Sequence, residues 1–267
     1  MNHQSDVTIR NYVKAIWNYR YLTYSLGIGD IKKKYSLRTF GVFFSVLQVV
    51  ITLVVYWAIF GVILGVGVWG IPYPLFALPG IIMWQFFSAT VGSMNASLHN
   101  SSNLISKLYF PRINLLISRL IITLPDLLIG LAIYFLLLLY YNQSFIISWL
   151  WILPLIFYLI LVTFGVGLWL SIVSLYHKQT GDILLQLVSF CFFITPVFYP
   201  GTIVPEHYKI LMNINPMAAV IDVFRESFFI SFPKDNGYIM GFILGLLLFA
   251  SSCIFFMRIE KKIADLL

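Results

Sequence analysis

The stretch ITPVFYPGTIVPEHY, residues 194–208, interrupts an apolar run that is otherwise suited to cross a membrane. It carries three prolines and a glycine within ten positions, namely Pro196, Pro200, Gly201 and Pro205. Because proline has no backbone N–H and clashes with the preceding helical turn, a straight helix cannot pass through this stretch. Irregular backbone at membrane depth occurs only where protein or water surrounds it. We therefore expect the chain to break a crossing here and to fold back against protein.

The composition indicates an integral membrane protein. Hydrophobic residues make up 60% of the 267 residues and charged residues only 10%, whereas soluble domains are roughly 45–50% apolar and about 25% charged. A soluble chain of this length could not bury so much apolar surface.

Six apolar runs define the predicted topology. Four are uncharged and long enough to cross the ~30 Å hydrocarbon core, at 40–64, 75–98, 148–176 and 238–257. A fifth, 113–140, contains two charged residues, and the sixth, 183–197, reaches only about 22 Å before the prolines. The sequence thus predicts an all-α integral membrane protein with six transmembrane helices. The run 183–197, which is the fifth in chain order, is the broken one.

The distribution of positive charge predicts the orientation. Fourteen of the 17 Lys and Arg residues fall on one side of this topology, seven of them before residue 40, and the other three lie in 198–237. Positive residues concentrate in cytoplasmic loops, so both termini are predicted to be cytoplasmic. Topology and anionic lipid account for the net charge of +7, and no nucleic-acid partner is expected.

Residues 1–38 form a separate segment before the six-span domain, 39–267. Apolar residues recur at helical spacing on one face of it, while Arg10, Lys14 and Asn18 lie on another; the apolar positions are Ile9, Tyr12, Val13, Ile16 and Trp17. Such a helix is typical of the membrane interface. The alternative is a solvated cytoplasmic helix.

The chain lacks the usual signals of an enzyme. It has no Gly-rich loop followed by Lys-Ser or Lys-Thr, so no ATP site of that kind is predicted. Four isolated histidines and two cysteines in apolar runs, Cys191 and Cys253, indicate neither a metal site nor a disulfide framework. We expect no catalytic residues, no metal and no cofactor in this chain.

Charged residues in and near the spans have two interpretations each. Asp222 and Glu226, with Arg225 between them, fit a solvated or salt-bridged helical stripe better than a catalytic dyad. Asp126 lies about 20 Å into its span, with Arg119 seven residues earlier on nearly the same face. Ionisable groups at such depth face a bundle interior or a water-filled path. Arg119 and Asp126 either hold helices together or line a path.

Four segments in order resemble a known family. GDIKKKYSLRTFG at 29–41 has Asp-Ile-Lys before the first crossing, and IPYPLFALPGIIMWQFFS at 71–88 opens the second. NSSNLISKLYFPR at 100–112 ends in Tyr-Phe-Pro-Arg, and TPVFYPGTIVPEHYKILMNINPMAAVIDVFRE at 195–226 combines Pro-Val-x-Tyr-Pro, Val-Pro, Asn-Pro-Met and Phe-Arg. Together they resemble the membrane subunit of type-2 ABC exporters of O-antigen, teichoic acid or capsule polymers. In 29–41, Lys34-Tyr35 and Phe40-Gly41 replace that family's Arg-Tyr and Leu-Gly.

The resemblance implies a permease half of the bacterial inner membrane. Two copies would enclose a path, and a separate nucleotide-binding ATPase subunit, holding ATP and Mg, would dock on the cytoplasmic side. The implied cargo is a polysaccharide on polyprenyl pyrophosphate, with O-antigen preferred and teichoic acid or capsule polymer as alternatives. Two other classes stay open: a secondary transporter or channel with a broken-helix site, and a membrane-embedded enzyme.

The turn at 100–112 is the predicted contact with the ATPase. Apolar residues repeat there at helical spacing and form a face that fits a groove on a partner, and Pro111 is expected to stop the helix. The alternative is a helix lying on lipid headgroups. The candidate coupling residues are Asn103, Leu104, Ser106, Lys107, Leu108 and Tyr109, with Ile105 on the same apolar face.

Basic residues before the first span are candidates for guiding the lipid pyrophosphate towards the path. They are Lys32, Lys33, Lys34 and Arg38, whose side chains could form charge-assisted hydrogen bonds to phosphate. Membrane topology alone would also place lysines at this position.

The segment 198–236 is predicted to form an external gate. Pro205 is expected to open a short helix that runs to Asn215, and Pro216 a second helix with one apolar face and one charged face. The alternative is a fixed structural cap. The candidate gate residues are Pro196, Tyr199, Pro200, Pro205, Pro216, Asp222 and Arg225.

Overall fold

The computed structural model describes residues 9–36, 41–66, 70–143, 150–229 and 236–260, together with Ile263. Over these residues the secondary structure is helical. The helices are α1 (Ile9–Asn18), α2 (Arg20–Ser36), α3 (Gly41–Tyr56), α4 (Tyr73–Asn100), α5 (Ser102–Lys107), α6 (Ile113–Tyr140), α7 (Ile152–Tyr176), α8 (Lys178–Ile194), α9 (Lys209–Asn213), α10 (Pro216–Phe228) and α11 (Ile239–Ile259). A π-helical stretch, Trp57–Ile63, extends α3, and 3₁₀ turns lie at Gly201–Ile203, Glu206–Tyr208 and Asn236–Tyr238.

Five helices in the described part of the chain are long and apolar enough to cross a membrane. They are α3 with its π-helical extension, α4, α6, α7 and α11, and they match five of the six predicted runs. The shorter helix α8 has 17 residues and ends at Ile194, just before Pro196. It begins five residues before the predicted run, and its fifth residue, Asp182, accepts a 3.0 Å hydrogen bond from Asn95 of α4.

Helix α4 is the centre of the bundle. In its most apolar window 78% of the residues are buried, against 6% for the span that begins with α3. Helices α6 and α7 flank α4, and α11 packs against α7. At Gly165 of α7 an added Cβ would lie 2.8 Å from the Cα atom of Phe249, so only glycine permits this approach between α7 and α11.

The buried side chains form two main clusters along the bundle. One surrounds Phe76, Ile82, Tyr134 and Phe224 and lies towards the segment 195–229. The other joins α4, α5, α6, α7 and α11 around Leu98, and α1 and α2 pack against it. We call the end of the bundle formed by α1, α2, α5 and the α7–α8 turn the basic end, and the opposite end, formed by 195–229, the proline end.

Helix α2 runs beside the first half of α6 in the same direction. Near the start of α2 the hydroxyl of Thr23 accepts a 2.6 Å hydrogen bond from Asn114 of α6, and near the end of α2 Lys34 forms an ion pair with Asp126 of α6. The predicted apolar face of α1 is only partly covered by protein. Tyr12 and Ile16 pack on the bundle, whereas Val13 and Trp17 are exposed.

The contacts of Asp126 relate α6 to the first span. Its carboxylate accepts a 2.7 Å hydrogen bond from Ser45, the fifth residue of α3. Thirteen residues of α6 precede Asp126, in agreement with the predicted run, whereas only four residues of α3 precede Ser45. The beginning of α6 therefore extends past the start of α3, a relation between two distant helices that the hydrophobic run itself does not contain.

Candidate functional site

The polypeptide leaves helical geometry at the proline end. Helix α8 stops at Ile194, and Thr195 has extended backbone angles (φ −79°, ψ 135°). The hydroxyl of Tyr199 lies 3.0 Å from the carbonyl oxygens of Phe193 and Ile194, so it caps the last turn of α8. Asn215 donates a 2.8 Å hydrogen bond to the hydroxyl of Thr195 and ties the break to the next helix.

Helix α10 begins as the sequence predicts. Asn215 has extended backbone angles, and its side chain accepts hydrogen bonds from the amides of Met217 (2.9 Å) and Ala218 (3.4 Å). Pro216 occupies the first helical position, where its missing N–H costs nothing. The start of α10 is therefore determined by local chemistry.

The predicted helix from Pro205 to Asn215 does not form as one element. Pro205 precedes a 3₁₀ turn, Glu206–Tyr208, and only the five residues of α9 are α-helical. Most side chains between Thr202 and Leu211 are exposed, so little tertiary packing is available to extend a helix that is too short to be stable alone.

A fully buried arginine holds the break together. Arg225 of α10 donates through Nε to the carbonyl oxygen of Phe76 (2.9 Å) and through Nη2 to that of Val197 (2.6 Å). Its Nη1 donates to the carbonyl oxygen of Pro196 (2.6 Å) and to Oδ1 of Asp222 (2.7 Å). A break leaves backbone carbonyls without helical N–H partners, and the guanidinium group, with five donors in a fixed plane, supplies those donors.

Two further contacts make this arrangement specific. Tyr238 donates a hydrogen bond to Oδ2 of Asp222, which is itself buried. At Gly80 of α4 an added Cβ would lie 2.7 Å from the carbonyl oxygen of Val197 and 2.9 Å from Nη2 of Arg225. A glycine is therefore required where α4 meets the break.

The predicted charged face of α10 is correct in its ion pair and wrong in its exposure. Asp222 and Arg225 were expected on a solvated or salt-bridged face opposite the apolar residues; they do form an ion pair, but that pair is buried inside the protein. Only Glu226 of the three is partly exposed. Both faces of α10 are covered, because α4, α7 and α11 all pack against it.

Aromatic rings join the break to the first span. The ring of Phe198 stacks on Tyr56 at 5.1 Å between centroids and lies 4.5 Å from Phe60 and 5.4 Å from Phe192. The π-helical stretch begins at the residue after Tyr56. The break, α3 and α8 are thus packed through one aromatic cluster.

The turn at the basic end differs from its prediction. Helix α5 ends at Lys107, and Leu108 is already extended (φ −126°, ψ 135°), so Pro111 is not what stops the helix. Ile105 is buried and Leu104 packs on the same cluster, which removes both from the predicted docking face. Leu108 and Tyr109 are exposed, at 51% and 83%, and Asn103, Ser106 and Lys107 are exposed beside them.

The basic residues before the first span are engaged to different extents. Lys32 is exposed, and Lys33 forms an exposed ion pair with Asp30 at 3.4 Å. Lys34 binds Asp126, while Arg38 lies outside the described residues.

Asp126 and Arg119 each bind α2, so they do not pair with each other. Arg119 forms a 2.9 Å ion pair with Asp30. Asp126 also accepts a 2.8 Å hydrogen bond from the hydroxyl of Tyr35. Burial, followed by that hydrogen bond, raises the pKa of Tyr35 to about 12, which keeps the hydroxyl protonated as a donor. These contacts join α2 to α6.

Several residues of these clusters were missed from sequence. Asp30, Tyr35 and Tyr238 bind predicted residues from distant parts of the chain, and Gly80 permits the close approach of α4 to Arg225. Glu260, which is flanked by Arg258, Lys261 and Lys262 in the sequence, accepts a hydrogen bond from the backbone N–H of Arg112. Burial raises the pKa of Glu260, partly offset by its hydrogen bonds. Its isolation among basic residues was the one available signal.

Chemically, these arrangements position helices and do not resemble a reaction centre. In the described residues no group of three or more His, Cys, Asp or Glu side chains could hold a metal ion. In the buried Asp222–Arg225 pair, Arg225 donates to three backbone carbonyls and to Asp222, and Asp222 also accepts a hydrogen bond from Tyr238. Such a pair is suited to fixing a chain break.

Comparison with known proteins relates this chain to transport permeases. It is 24% identical to an O-antigen export system permease protein of Klebsiella pneumoniae over 239 residues, covering 89% of this chain and 92% of the relative. It is 27% identical to one from Myxococcus xanthus over 255 residues, covering 93% and 96%. A polysialic acid transport protein of Escherichia coli is 24% identical over 214 residues, covering 76% and 79%.

The family described as ABC-2 type transporter matches residues 21–229. The matched region begins in α2 and ends one residue after α10. It therefore includes the α2–α6 contacts, the turn at the basic end and the whole Arg225 cluster. Since the match covers more than half of the length of this chain, the chain belongs to the ABC-2 type transporter family.

Proposed function

We propose that this chain is the transmembrane subunit of an ATP-driven exporter that moves a polysaccharide across the bacterial inner membrane. O-antigen is the cargo that we favour. The observation that carries the proposal is the family match from α2 to the end of α10, which spans both ends of the bundle. The curated relatives are named as permeases for O-antigen export and as a polysialic acid transporter. Teichoic acid or capsule polymer is the alternative cargo.

Two copies of the chain are proposed to form the path, with a separate ATPase subunit that holds ATP and Mg. The basic end is proposed to face the cytoplasm, with both termini on that side, in agreement with the positive charge there. Cysteines placed at Ser5 and Asp265 should then resist a membrane-impermeant reagent in intact cells. Labelling at both positions would reverse the orientation.

The ATPase contact is proposed at the turn 100–112. Its exposed side chains, Leu108 and Tyr109, replace the helical face expected from sequence. Crosslinks from Ser106, which is also exposed, to the ATPase are expected in an active complex. Consistent absence of such crosslinks would favour a turn that lies on lipid headgroups.

Helix α8 is proposed as the sixth, shortened crossing. Its 17 residues reach about 26 Å, so the extended chain after Ile194 completes the path to the outer surface. In the external segment 198–236, the Arg225 cluster is proposed as a fixed base, and the largely exposed stretch 202–211 as the moving tip of a gate. A disulfide across the dimer axis within 202–211 should block export until it is reduced; unimpaired export would identify a fixed cap.

The cargo is proposed to be linked to polyprenyl pyrophosphate and guided by the exposed lysines Lys32 and Lys33, with Arg38 beside them in sequence. Replacing Lys32 and Lys33 by Gln should reduce export while membrane insertion is preserved. Normal export by a correctly inserted variant would remove this role.

Reconstitution tests the function directly. The chain and its proposed ATPase subunit are placed in liposomes with a polyprenyl-pyrophosphate-linked glycan. We expect ATP-dependent movement of the glycan and stimulated ATP hydrolysis, both lost with an ATPase variant that binds but does not hydrolyse ATP. Movement that follows an ion gradient and ignores ATP would instead support a secondary transporter.

A further inference from the structure

One exposed stripe of α1 and α2 combines positive charge with aromatic rings. Its members recur every three or four residues and are all exposed: Arg10, Lys14, Trp17, Tyr21 and Tyr24. Trp17, Tyr21 and Tyr24 have exposed fractions of 66%, 72% and 61%. Hydrogen bonds from the amide of Tyr19 to the carbonyl of Ala15 and from that of Thr23 to Tyr19, both 3.2 Å, carry helical geometry across the junction. The stripe therefore follows one continuous surface.

Behind the aromatic part of this stripe lies a cavity of about 560 Å³ between α1–α2 and α6. Trp17, Tyr21 and Tyr24 form its walls, and Ile117 and Ile121 contribute to its lining from α6. The lining is overwhelmingly apolar and the cavity is open to the surroundings. A site of this shape suits a hydrocarbon chain better than a polar solute.

Arg20 stands at the rim of the cavity. Its guanidinium carbon lies 5.0 Å from the ring of Trp17 and 4.6 Å from that of Tyr21. Hydrogen bonds to the carbonyl oxygen of Trp17 (3.1 Å) and the hydroxyl of Tyr21 (3.4 Å) orient the group. In the described part of the chain these contacts use two of its five N–H groups. A held guanidinium group with spare donors at the mouth of an apolar cavity is complementary to an anionic headgroup.

The depth of the cavity follows from the Asp126 junction. Asp126 is level with the start of the first span, through Ser45. Ile117 and Ile121 precede Asp126 by nine and five residues on the same helix, which places them about 8–14 Å farther from the bilayer centre. Headgroups and the first carbons of acyl chains occupy this depth, and Trp and Tyr are enriched there.

We infer that this cavity binds an anionic phospholipid of the adjoining leaflet. One acyl chain lies on Ile117 and Ile121 between the aromatic rings, and the phosphate binds Arg20. Arg10 and Lys14, farther along the stripe, add positive potential towards an anionic surface. Neither the cavity nor Arg20 depends on which cargo the chain transports.

Lipid titration of the purified full-length chain tests the inference. Delipidated protein in detergent is titrated with phosphatidylglycerol or phosphatidylcholine of the same acyl chains, and bound lipids are counted by native mass spectrometry. We expect saturable binding of one phosphatidylglycerol with clear preference over phosphatidylcholine. Arg20→Gln should weaken phosphatidylglycerol binding about tenfold, the effect of losing one charge-assisted hydrogen bond. It should weaken phosphatidylcholine binding less, because the choline cation already neutralises that headgroup.

Two further variants separate the parts of the site. Ile117→Trp, which fills the cavity, should weaken the binding of both lipids. Arg258→Gln removes an exposed charge outside the cavity and the stripe and serves as the matched control, with little change expected. Because Arg20 is exposed, its variant should keep the elution volume and thermal midpoint of the parent protein.

Three outcomes would overturn the inference. They are equal affinity for the two lipids, full phosphatidylglycerol binding by Arg20→Gln, and displacement of phosphatidylglycerol by glycerol phosphate at the same concentration. In a fourth arm, a polyprenyl phosphate competes with the bound phosphatidylglycerol. If it displaces this lipid at a far lower concentration than free phosphatidylglycerol does, the cavity is assigned to a lipid-linked cargo and the phospholipid assignment is refuted.

Discussion

Replacing Arg225 by Leu should destabilise the protein more than any exposed charge replacement. The side chain is fully buried and donates to three backbone carbonyls and to Asp222. Leu fills part of the volume but supplies no donor, so the three carbonyls and Oδ1 of Asp222 lose their guanidinium contacts, while Oδ2 of Asp222 keeps the hydrogen bond from Tyr238.

The expected magnitude follows from those lost contacts. A buried carbonyl or carboxylate that loses its donor costs about 1–3 kcal/mol, so four such groups set an upper limit of about 12 kcal/mol. Water admission and backbone relaxation reduce this sum, and removing one partner of a buried ion pair costs about 3–5 kcal/mol in practice. We expect a loss in the unfolding free energy of that size.

The control is Lys209→Leu. Lys209 pairs with Glu206 at 2.6 Å, but the two side chains are 30% and 87% exposed, and such pairs contribute about 0–1 kcal/mol. Equilibrium unfolding in mixed detergent micelles measures both variants. The double variant Asp222→Asn/Arg225→Leu should recover about 1–3 kcal/mol, because it no longer leaves an underpaired carboxylate. If Arg225→Leu were no more costly than Lys209→Leu, the assigned role of the guanidinium would be wrong.

Three other predictions concern stability and mobility. Gly80→Ala should cost about 1–3 kcal/mol through overpacking against the break, whereas Gly29→Ala, with open space around it, should be neutral or stabilising by unfolding assay; equal effects would contradict the assigned close approach. Burial raises the pKa of Glu260, so its stabilising contribution is present below the ordinary pKa of a carboxyl group and is lost as pH rises through the raised value. The thermal midpoint of the parent protein should fall over that pH interval, whereas the midpoint of Glu260→Gln should change less with pH. Identical pH profiles of the two midpoints would exclude this carboxyl group as the cause. Asp126→Asn should speed amide exchange in α2, because it removes the ion pair with Lys34; unchanged exchange would show that α2 is held by other contacts.

The sequence alone determined those features that depend on neighbouring residues. The run 113–140 coincides with helix α6, and the start of α10 at Pro216 and the end of α8 before Pro196 follow from the missing N–H of proline and the capping side chain of Asn215. These signals are local, because they act within one or two helical turns. They are therefore readable without knowledge of the fold.

Only the tertiary structure decided how the charged residues are used. Arg225 binds Phe76, 149 positions away, and Lys34 binds Asp126, 92 positions away. Helical periodicity predicts one buried face, so it assigned Arg225 to a polar face and Ile105 to a docking surface, whereas packing from several sides buries both. The free energy of a buried charge depends on donors and acceptors brought from distant segments, and their positions are set by helix packing, which no local pattern records.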